Sequence, residues 1–213
     1  MTSDKTCVLI LDKEIGNRCL WQLLKRDIKF QLITNKLKGE DLIKRIQMRV
    51  YKPDIIFCIG LTKMIPKEIL AIAPCLNIHP ALLPKYRGRY SIPHAIFNGE
   101  KYTGATIHWM DEGIDSGAII MQEKIKIEKD DTAQSIWDKF NDVGEKLFGE
   151  FLDLWLSGET IDSYPQDESE STYYPKCLPN SGQIDLSWDK NKIDRFKRAM
   201  TYEKFNPCFN SSP

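Results

Sequence analysis

The sequence has no surplus of charge, and its start offers no apolar run long enough for a leader or a membrane span. Its 30 basic and 30 acidic residues give a formal net charge of zero, which argues against a protein that coats nucleic acid, because such a protein needs a basic excess to displace counterions. The first apolar run, Val8 to Leu11, is too short for a signal peptide or a membrane span. We therefore expect a cytoplasmic protein without a membrane partner.

Motifs for disulfides, metals and phosphates are also missing. The six cysteines are scattered without a C-x-x-C pair, and several lie in apolar runs, as buried free thiols do, so we predict a reducing compartment. The three histidines show no H-E-x-x-H or similar spacing, which predicts no metal site. There is no P-loop, no G-x-S-x-G elbow and no G-x-G-x-x-G turn, and the turn after the first apolar run has the single glycine Gly16.

Short apolar segments alternate with helical patterns in the first half of the chain. The expected strands are Cys7–Leu11, Phe30–Thr34, Asp54–Gly60 and Leu76–Ile78, and the expected helices are Glu14–Asp27, Glu40–Tyr51 and Pro66–Ala71. This alternation predicts an α/β, Rossmann-like fold with a mostly parallel, twisted sheet flanked by helices. Ligands of such sheets gather beyond the carboxyl ends of the strands, where Asn77 and His79 lie.

The second half has longer elements. We expect strands at Gly104–Met110 and Ala118–Ile127, a helix from about Thr132 to Leu156 capped by Asp131, an acidic surface connection at Ser163–Ser171 and a short helix near Lys190–Met200. The residues after Ser171 are too few for an independent domain. The expected organisation is one catalytic domain over residues 1–162 and a linker with a short C-terminal extension over residues 163–213.

Three side chains suggest chemistry. Asn77 and His79 lie one pleat apart and point to the same side of a strand, and Gly113 and Gly117 allow a sharp backbone path that can present Asp115 inward. A carboxylate beside an imidazole orients it and stabilises its charged form, so an amide, an imidazole and a carboxylate form a plausible acyl-transfer set. The alternatives stay open. The residues alone favour a functional His79 no more than a structural one, and the segment between Gly113 and Gly117 also fits an ordinary acidic hairpin loop.

The other two histidines carry a plainer interpretation. His108 lies inside a strand next to Trp109, and His94 lies in an expected helix after Pro93. For both we favour a packed or solvent-facing histidine over a functional one.

Two segments, LNIHPALLPKYRGRYSIPHAI and TIHWMDEGIDSGAIIMQ, closely resemble the formyltransferases that use 10-formyltetrahydrofolate. The resemblance is clear over roughly Pro53 to Phe148, and it implies that Asn77, His79 and Asp115 are catalytic. It also implies a mechanism: a substrate amine attacks the formyl carbon, Asn77 and protonated His79 stabilise the tetrahedral oxyanion, and Asp115 holds His79 and helps move the amine proton to the departing folate nitrogen.

The resemblance also places the folate co-substrate, between a loop at Leu61–Pro66 and a loop at Asp111–Ser116. The residues expected to contact it, largely through their backbone, are Met64, Ile65, Pro66, Asp111, Gly113 and Ile114. No metal is expected to take part.

Among the branches of this family, nucleotide-sugar N-formyltransferases are most similar, sharing the pattern LLPKYRGRYS.PHAI.NGE and a STYYPK tail. They formylate the amine of a nucleotide-linked 3- or 4-amino-deoxysugar, often linked to thymidine diphosphate, and related sugar enzymes often dimerise, so the resemblance allows a homodimer. Glycinamide ribonucleotide formyltransferases carry a glycine-rich loop after the first strand that this sequence lacks. Methionyl-tRNA formyltransferases resemble the LLPKYRG, YYPK and IDLSW segments, but the chain ends too early for their C-terminal β-barrel.

A nucleotide-sugar substrate predicts cations for the diphosphate and an aromatic face for the base. The candidate substrate-binding residues are Lys85, Tyr86, Arg87, Gly88, Arg89, Tyr90, Tyr173 and Tyr174. A solvated basic loop is the alternative for the KYRGRY segment. A shortened methionyl-tRNA formyltransferase-like enzyme and a folate-binding homologue without catalysis remain alternatives for the whole chain.

Overall fold

In a computed structural model, the structure describes residues 5–11, 13–34, 53–61 and 64–203. The strands are β1 (Thr6–Leu11), β2 (Lys29–Thr34), β3 (Ile55–Ile59), β4 (Cys75–His79), β5 (Arg87–Gly88), β6 (Tyr102–Trp109), β7 (Ile119–Lys126) and β8 (Tyr173–Tyr174). The helices are α1 (Lys13–Lys25), α2 (Lys67–Leu70), α3 (Ser91–Asn98), α4 (Ala133–Ser157) and α5 (Lys190–Met200), with 3-10 turns at Glu168–Glu170 and Pro179–Gly182. The helix predicted at Glu40–Tyr51 lies outside the described residues.

Six of the strands form one sheet in the order β2-β1-β3-β4-β6-β7. The first four in this order pair in parallel, and β6 and β7 are antiparallel to their neighbours. The predicted α/β, Rossmann-like fold with a mostly parallel sheet is confirmed. The strands β6 and β7 are joined by the short loop at residues 110–118 and pair as a hairpin, whereas parallel strands need a long crossover. The remaining strands, β5 and β8, form a separate parallel pair.

Both faces of the sheet are covered, as the continuous apolar runs of its central strands require. On one face the Phe57 ring meets Phe148 edge-on at a centroid distance of 4.9 Å and Trp155 at 6.0 Å. Ile56, the neighbour of Phe57 along β3, points to the other face and packs in a second cluster with Ile69 of α2. This packing fixes β4 between buried layers, so the side chains at its end are held in place.

The long helix α4 begins one residue later than predicted. Its N-cap is Thr132, whose hydroxyl accepts from the Ser135 amide at 3.2 Å while the Thr132 amide donates to the Ser135 hydroxyl at 3.0 Å. The prediction that Asp131 caps the helix was wrong, because its carboxylate accepts instead from the Ser135 hydroxyl and from Lys139. Gly158, with φ 80°, ends the helix as expected.

The C-terminal extension packs against the same core as the rest of the chain. Phe196 of α5 is 2% exposed, and its ring lies edge-on to Phe97 of α3 at 6.0 Å. Within the described ranges, no helix has the length and apolar character needed to cross a bilayer. The described ranges contain five cysteines. All five are free thiols, and four of them are buried.

Candidate active site

The site begins at the carboxyl end of β4. Leu76 and Ile78 point into the core, so Asn77 and His79 both point to the opposite face of the sheet. The antiparallel neighbour β6 brings His108 directly beside Asn77 in the strand register. An amide and two imidazoles thus share one end of two paired strands.

The Asp115 loop (residues 110–118, between β6 and β7) supplies the carboxylate. Asp115 has φ 53°, a left-handed conformation that short polar residues tolerate better than most. Its Oδ2 lies 3.4 Å from His79 Nδ1 and accepts from the Gly88 amide at 2.8 Å. A Cβ on Gly117 would lie 1.9 Å from the Trp109 carbonyl oxygen, so only glycine lets the loop return this closely to β6. The structure therefore brings Asn77, His79 and Asp115 together as the sequence predicted.

Both ring nitrogens of His79 have a partner. The Nε2 atom lies 2.8 Å from the carbonyl oxygen of Tyr86, and because a carbonyl only accepts, Nε2 carries a hydrogen. The other nitrogen, Nδ1, faces Asp115, so a proton taken up by a neutral His79 arrives between these two side chains. Both ring nitrogens of His79 are therefore occupied. Asn77 can point one N–H at an oxyanion while its other N–H keeps the contact with the His108 ring.

His108 is a site residue that the sequence interpretation assigned to packing. Its Nδ1 lies 2.7 Å from the Trp109 carbonyl and its Nε2 lies 3.3 Å from Asn77 Nδ2 and 3.7 Å from Asp115 Oδ1. Burial lowers the pKa of His108 to about 4, so the ring is neutral at pH 7. Since Nδ1 donates to a carbonyl, the bare Nε2 accepts from the Asn77 amide and sets its orientation. One feature of the sequence could have indicated its role. His108 lies on a strand just before the acidic loop, as His79 lies just before the basic loop.

His94 is packed, as predicted. Its Nε2 lies 2.8 Å from the Cys177 carbonyl, its ring centroid lies 4.1 Å from that of Tyr174, and burial lowers its pKa. In the part of the chain that the structure describes, no group of three or more His, Cys, Asp or Glu side chains is placed to hold a metal ion.

The two loops predicted to hold folate adjoin the same apolar cluster. Ile65, from the loop before α2, and Met110, at the start of the Asp115 loop, both pack against the cluster of buried residues that contains Ile56 and Ile69. Asp111 closes its own loop by accepting from the Gly113 amide at 2.9 Å and the Ser116 hydroxyl at 2.8 Å. The candidates Met64 and Ile114 are 67% and 38% exposed, and Pro66 is the N-cap residue of α2.

The loop after β4 lies beside the site, but only some of its predicted substrate ligands face outward. Lys85 is exposed and lies 3.4 Å from Glu170, and Tyr173 is 54% exposed. Arg89 and Tyr90, on the way into α3, are half-buried. Gly88 faces the site through its amide and, with φ 92°, approaches the Tyr174 carbonyl too closely for a Cβ.

Three of the predicted substrate residues have internal partners instead. The Tyr86 ring stacks on Tyr174 at 5.2 Å, and the Tyr86 hydroxyl donates to Glu100 at 2.8 Å. Arg87 is 8% exposed, and its guanidinium donates to Gln166 and Glu168. The faces and donors of Tyr86, Tyr174 and Arg87 therefore hold the loop together, and their role as substrate-binding residues stays a prediction.

Comparison with known proteins shows the family of the chain. Residues 21–152 match the family model of the formyl transferases. A methionyl-tRNA formyltransferase of Kosmotoga olearia is 43% identical over 144 residues, which are 67% of this chain and 44% of that protein. A GDP-perosamine N-formyltransferase of Brucella melitensis biotype 1 is 37% identical over 160 residues, which are 74% of this chain and 61% of that protein. The chain belongs to the formyl transferase family.

The fold has close counterparts among solved structures. An N-formyltransferase from Helicobacter canadensis, solved in complex with folinic acid and dTDP-3-aminofucose, superposes with a TM-score of 0.78 over 94% of this chain and 82% of that one, at 21% identity. At this identity the likeness concerns the fold. The chain spans about half the length of the curated relatives it matches, between 44% and 61% for the two above.

Proposed function

We propose that this chain transfers a formyl group from 10-formyltetrahydrofolate to the primary amine of a nucleotide-linked amino-deoxysugar, with a thymidine diphosphate sugar as the first choice. The observation that carries the proposal is the convergence of Asn77, His79 and Asp115 at the carboxyl end of β4. An amide donor beside an imidazole–carboxylate pair can stabilise an oxyanion and move a proton, which are the two needs of acyl transfer.

The proposed reaction follows from these contacts. The amine nitrogen attacks the formyl carbon, and the carbonyl oxygen becomes an oxyanion that accepts from an Asn77 N–H. The amide has two N–H groups, so one can keep its contact with His108 Nε2 while the other binds the oxyanion. The His79–Asp115 pair takes the proton that the amine loses and returns it to the folate nitrogen as the carbon–nitrogen bond of the donor breaks. The formyl group is then on the amine, and the proton is on the nitrogen of the departing tetrahydrofolate.

The donor site is proposed between the loop at Met64–Pro66 and the Asp115 loop. Both loops adjoin one apolar cluster, which suits the flat ring system of a folate, and Asp115 on the second loop faces His79. The Helicobacter canadensis N-formyltransferase with folinic acid supports a folate as donor.

The acceptor site is proposed on the other side of Asp115, where Gly88 meets its carboxylate. Here Lys85 and Arg89 are the cations for a diphosphate, and Tyr90 and Tyr173 are the aromatic faces for a sugar or base. The Brucella relative that acts on GDP-perosamine and the Helicobacter canadensis complex with dTDP-3-aminofucose support an amino sugar as acceptor. Cytoplasmic location and a homodimer stay predictions.

Formylation of methionyl-tRNA is the second candidate, favoured by the 43% identity with the Kosmotoga olearia protein. The zero net charge of the chain disfavours it, because a tRNA brings many phosphates that need basic partners.

A panel of amines separates these candidates. The protein is incubated with 10-formyltetrahydrofolate and, separately, with thymidine diphosphate 3-amino and 4-amino sugars, GDP-perosamine and methionyl-tRNA, and the products are analysed by mass spectrometry. We expect formylation of an amino sugar. Formylation of methionyl-tRNA alone would establish the second candidate, and folate binding without turnover of any amine would point to a homologue that has lost catalysis.

A further inference from the structure

Gln166 uses its whole amide to join two parts of the active site. It lies in the connecting segment (residues 158–172, between α4 and β8) and is 9% exposed. Its Nε2 donates to the carbonyl oxygens of Asp115 and Gly117, both at 2.8 Å. Its Oε1 accepts from Arg87 Nε at 3.0 Å and Nη2 at 2.8 Å. Both N–H groups and both lone pairs of the amide are thus occupied.

Arg87 decides which way this amide points. A guanidinium has donors only, so the oxygen of Gln166 must face it and the nitrogen must face the Asp115 loop. Glu168 holds Arg87 from the other side through contacts of 2.7 Å and 2.9 Å, and the hydrogen bond from Arg87 lowers the pKa of Glu168. Hydrogen bonds therefore run in a chain from Glu168 through Arg87 to Gln166.

The Asp115 loop needs such support. Asp115 has a left-handed backbone, which a residue with a side chain keeps only when its surroundings hold it there. Gln166 fixes its carbonyl, and the Gly88 amide, next to Arg87 in the chain, fixes its carboxylate. The two contacts act on opposite ends of one residue and both depend on the position of Arg87.

We propose that Gln166 is a positioning residue that holds Asp115 against His79, with its own orientation set by Arg87 and Glu168. The inference rests on the proposed catalytic role of Asp115. Residues 21–152 match the family model, so Gln166 lies beyond the matched part and the connecting segment completes the site from outside it.

The most informative variant is Gln166→Glu. It keeps the size of the side chain and the oxygen that faces Arg87, and it removes the donor to the two loop carbonyls. We expect kcat for formyl transfer to fall by about 10- to 100-fold, because small displacements of a catalytic group have effects of this size, while thermal unfolding stays cooperative. If Gln166 only packs against Arg87, the variant keeps its kcat within about twofold, and the proposal is overturned.

Asp167→Asn is the matched control. Asp167 neighbours Gln166, but its exposed carboxylate caps the Ser169 amide at 2.9 Å and does not contact the Asp115 loop. We expect wild-type kcat for it. Gln166→Met, which lacks both amide contacts without adding a charge, replaces Gln166→Glu if the latter does not fold, with the same expected loss and the same contradicting result.

A second measurement does not need a substrate. The Gly88 amide donates to Asp115, so its hydrogen exchange, followed by NMR, reports whether Asp115 stays in place. We expect exchange at least about tenfold faster in Gln166→Glu than in wild type and unchanged in Asp167→Asn. Unchanged exchange in a folded Gln166→Glu would overturn the positioning role. If wild type formylates no amine, the proposed function fails, and the exchange result still decides the role of Gln166.

Discussion

The Nδ1 atom of His79 lies 3.4 Å from Oδ2 of Asp115, with the two side chains 4% and 15% exposed. His79 ends β4, and Asp115 lies on the loop after β6. Because water has little access to this pair, the charges of imidazolium and carboxylate interact more strongly than on an open surface. The pair can therefore accept a proton from an attacking amine and keep it inside the site until the leaving nitrogen needs it.

Asn77→Ala is expected to lower kcat by about 100-fold, because the oxyanion loses its only amide donor from β4 while His79 and Asp115 remain. The measurement is steady-state formyl transfer to the best amine of the panel. Asn98→Ala is the control, since Asn98 donates to the hydroxyls of Tyr86 and Tyr174 rather than to a residue of the catalytic three. A variant of Asn77 as fast as the control would remove the amide from the mechanism.

The acid sensitivity of the fold is expected to depend on His108. Burial lowers its pKa from 6.5 to about 4, so below pH 6.5 the unfolded chain takes up a proton that the native ring refuses. Stability from this residue is therefore complete above pH 6.5 and declines as pH falls to about 4, by roughly 3 kcal/mol in all.

The variant His108→Gln cannot titrate, so it lacks this part of the decline. Urea unfolding of wild type and variant at pH 7 and pH 4 measures it: the free energy of unfolding falls further in wild type than in His108→Gln. Equal declines in the two proteins would show that His108 does not resist protonation in the native state.

Asn77, His79 and Asp115 could be predicted as one site because two segments of the sequence resemble those of the formyltransferases. Asn77 and His79 share one strand end, and the glycines around Asp115 mark a loop that turns inward. The partnership of His108 with Asn77 could not be predicted in this way, since it depends on the antiparallel register of β4 and β6. The register of β4 and β6 is set by packing distant from Asn77 and His108.

The partners of Arg87 also could not be predicted from the sequence. In the sequence it stands in a basic loop, where a cation suggests a phosphate ligand. Its partners Gln166 and Glu168 come from the connecting segment after α4 and reach it only in the folded chain. Charge alone therefore did not indicate these partners, and the substrate role of Arg87 stays a prediction, whereas Lys85 is exposed and keeps its role as a proposal.

Gly117→Ala is expected to displace the Asp115 loop, because the new Cβ would lie 1.9 Å from the Trp109 carbonyl oxygen. We expect a loss of about 1–3 kcal/mol in stability and a fall in kcat of about 10-fold or more. Denaturant unfolding and formyl-transfer kinetics measure the two effects.

Gly149→Ala is the control for this change. Gly149 lies within α4, and the nearest atom to its added Cβ is Nη2 of the Arg26 side chain at 3.3 Å, rather than a backbone atom. Alanine there is expected to leave kcat unchanged and stability equal or slightly higher, by up to about 1 kcal/mol. If both glycine variants behave alike, the close approach at Gly117 does not shape the loop.

We infer that the His79–Asp115 pair transfers the proton during formyl transfer. The most direct test of this role is the single-turnover rate of formyl transfer from 10-formyltetrahydrofolate to the accepted amine, compared among wild type, His79→Ala and Asp115→Asn. We predict that each substitution slows this rate by about 100-fold or more while folate still binds. A rate in either variant within a few-fold of wild type would contradict the account.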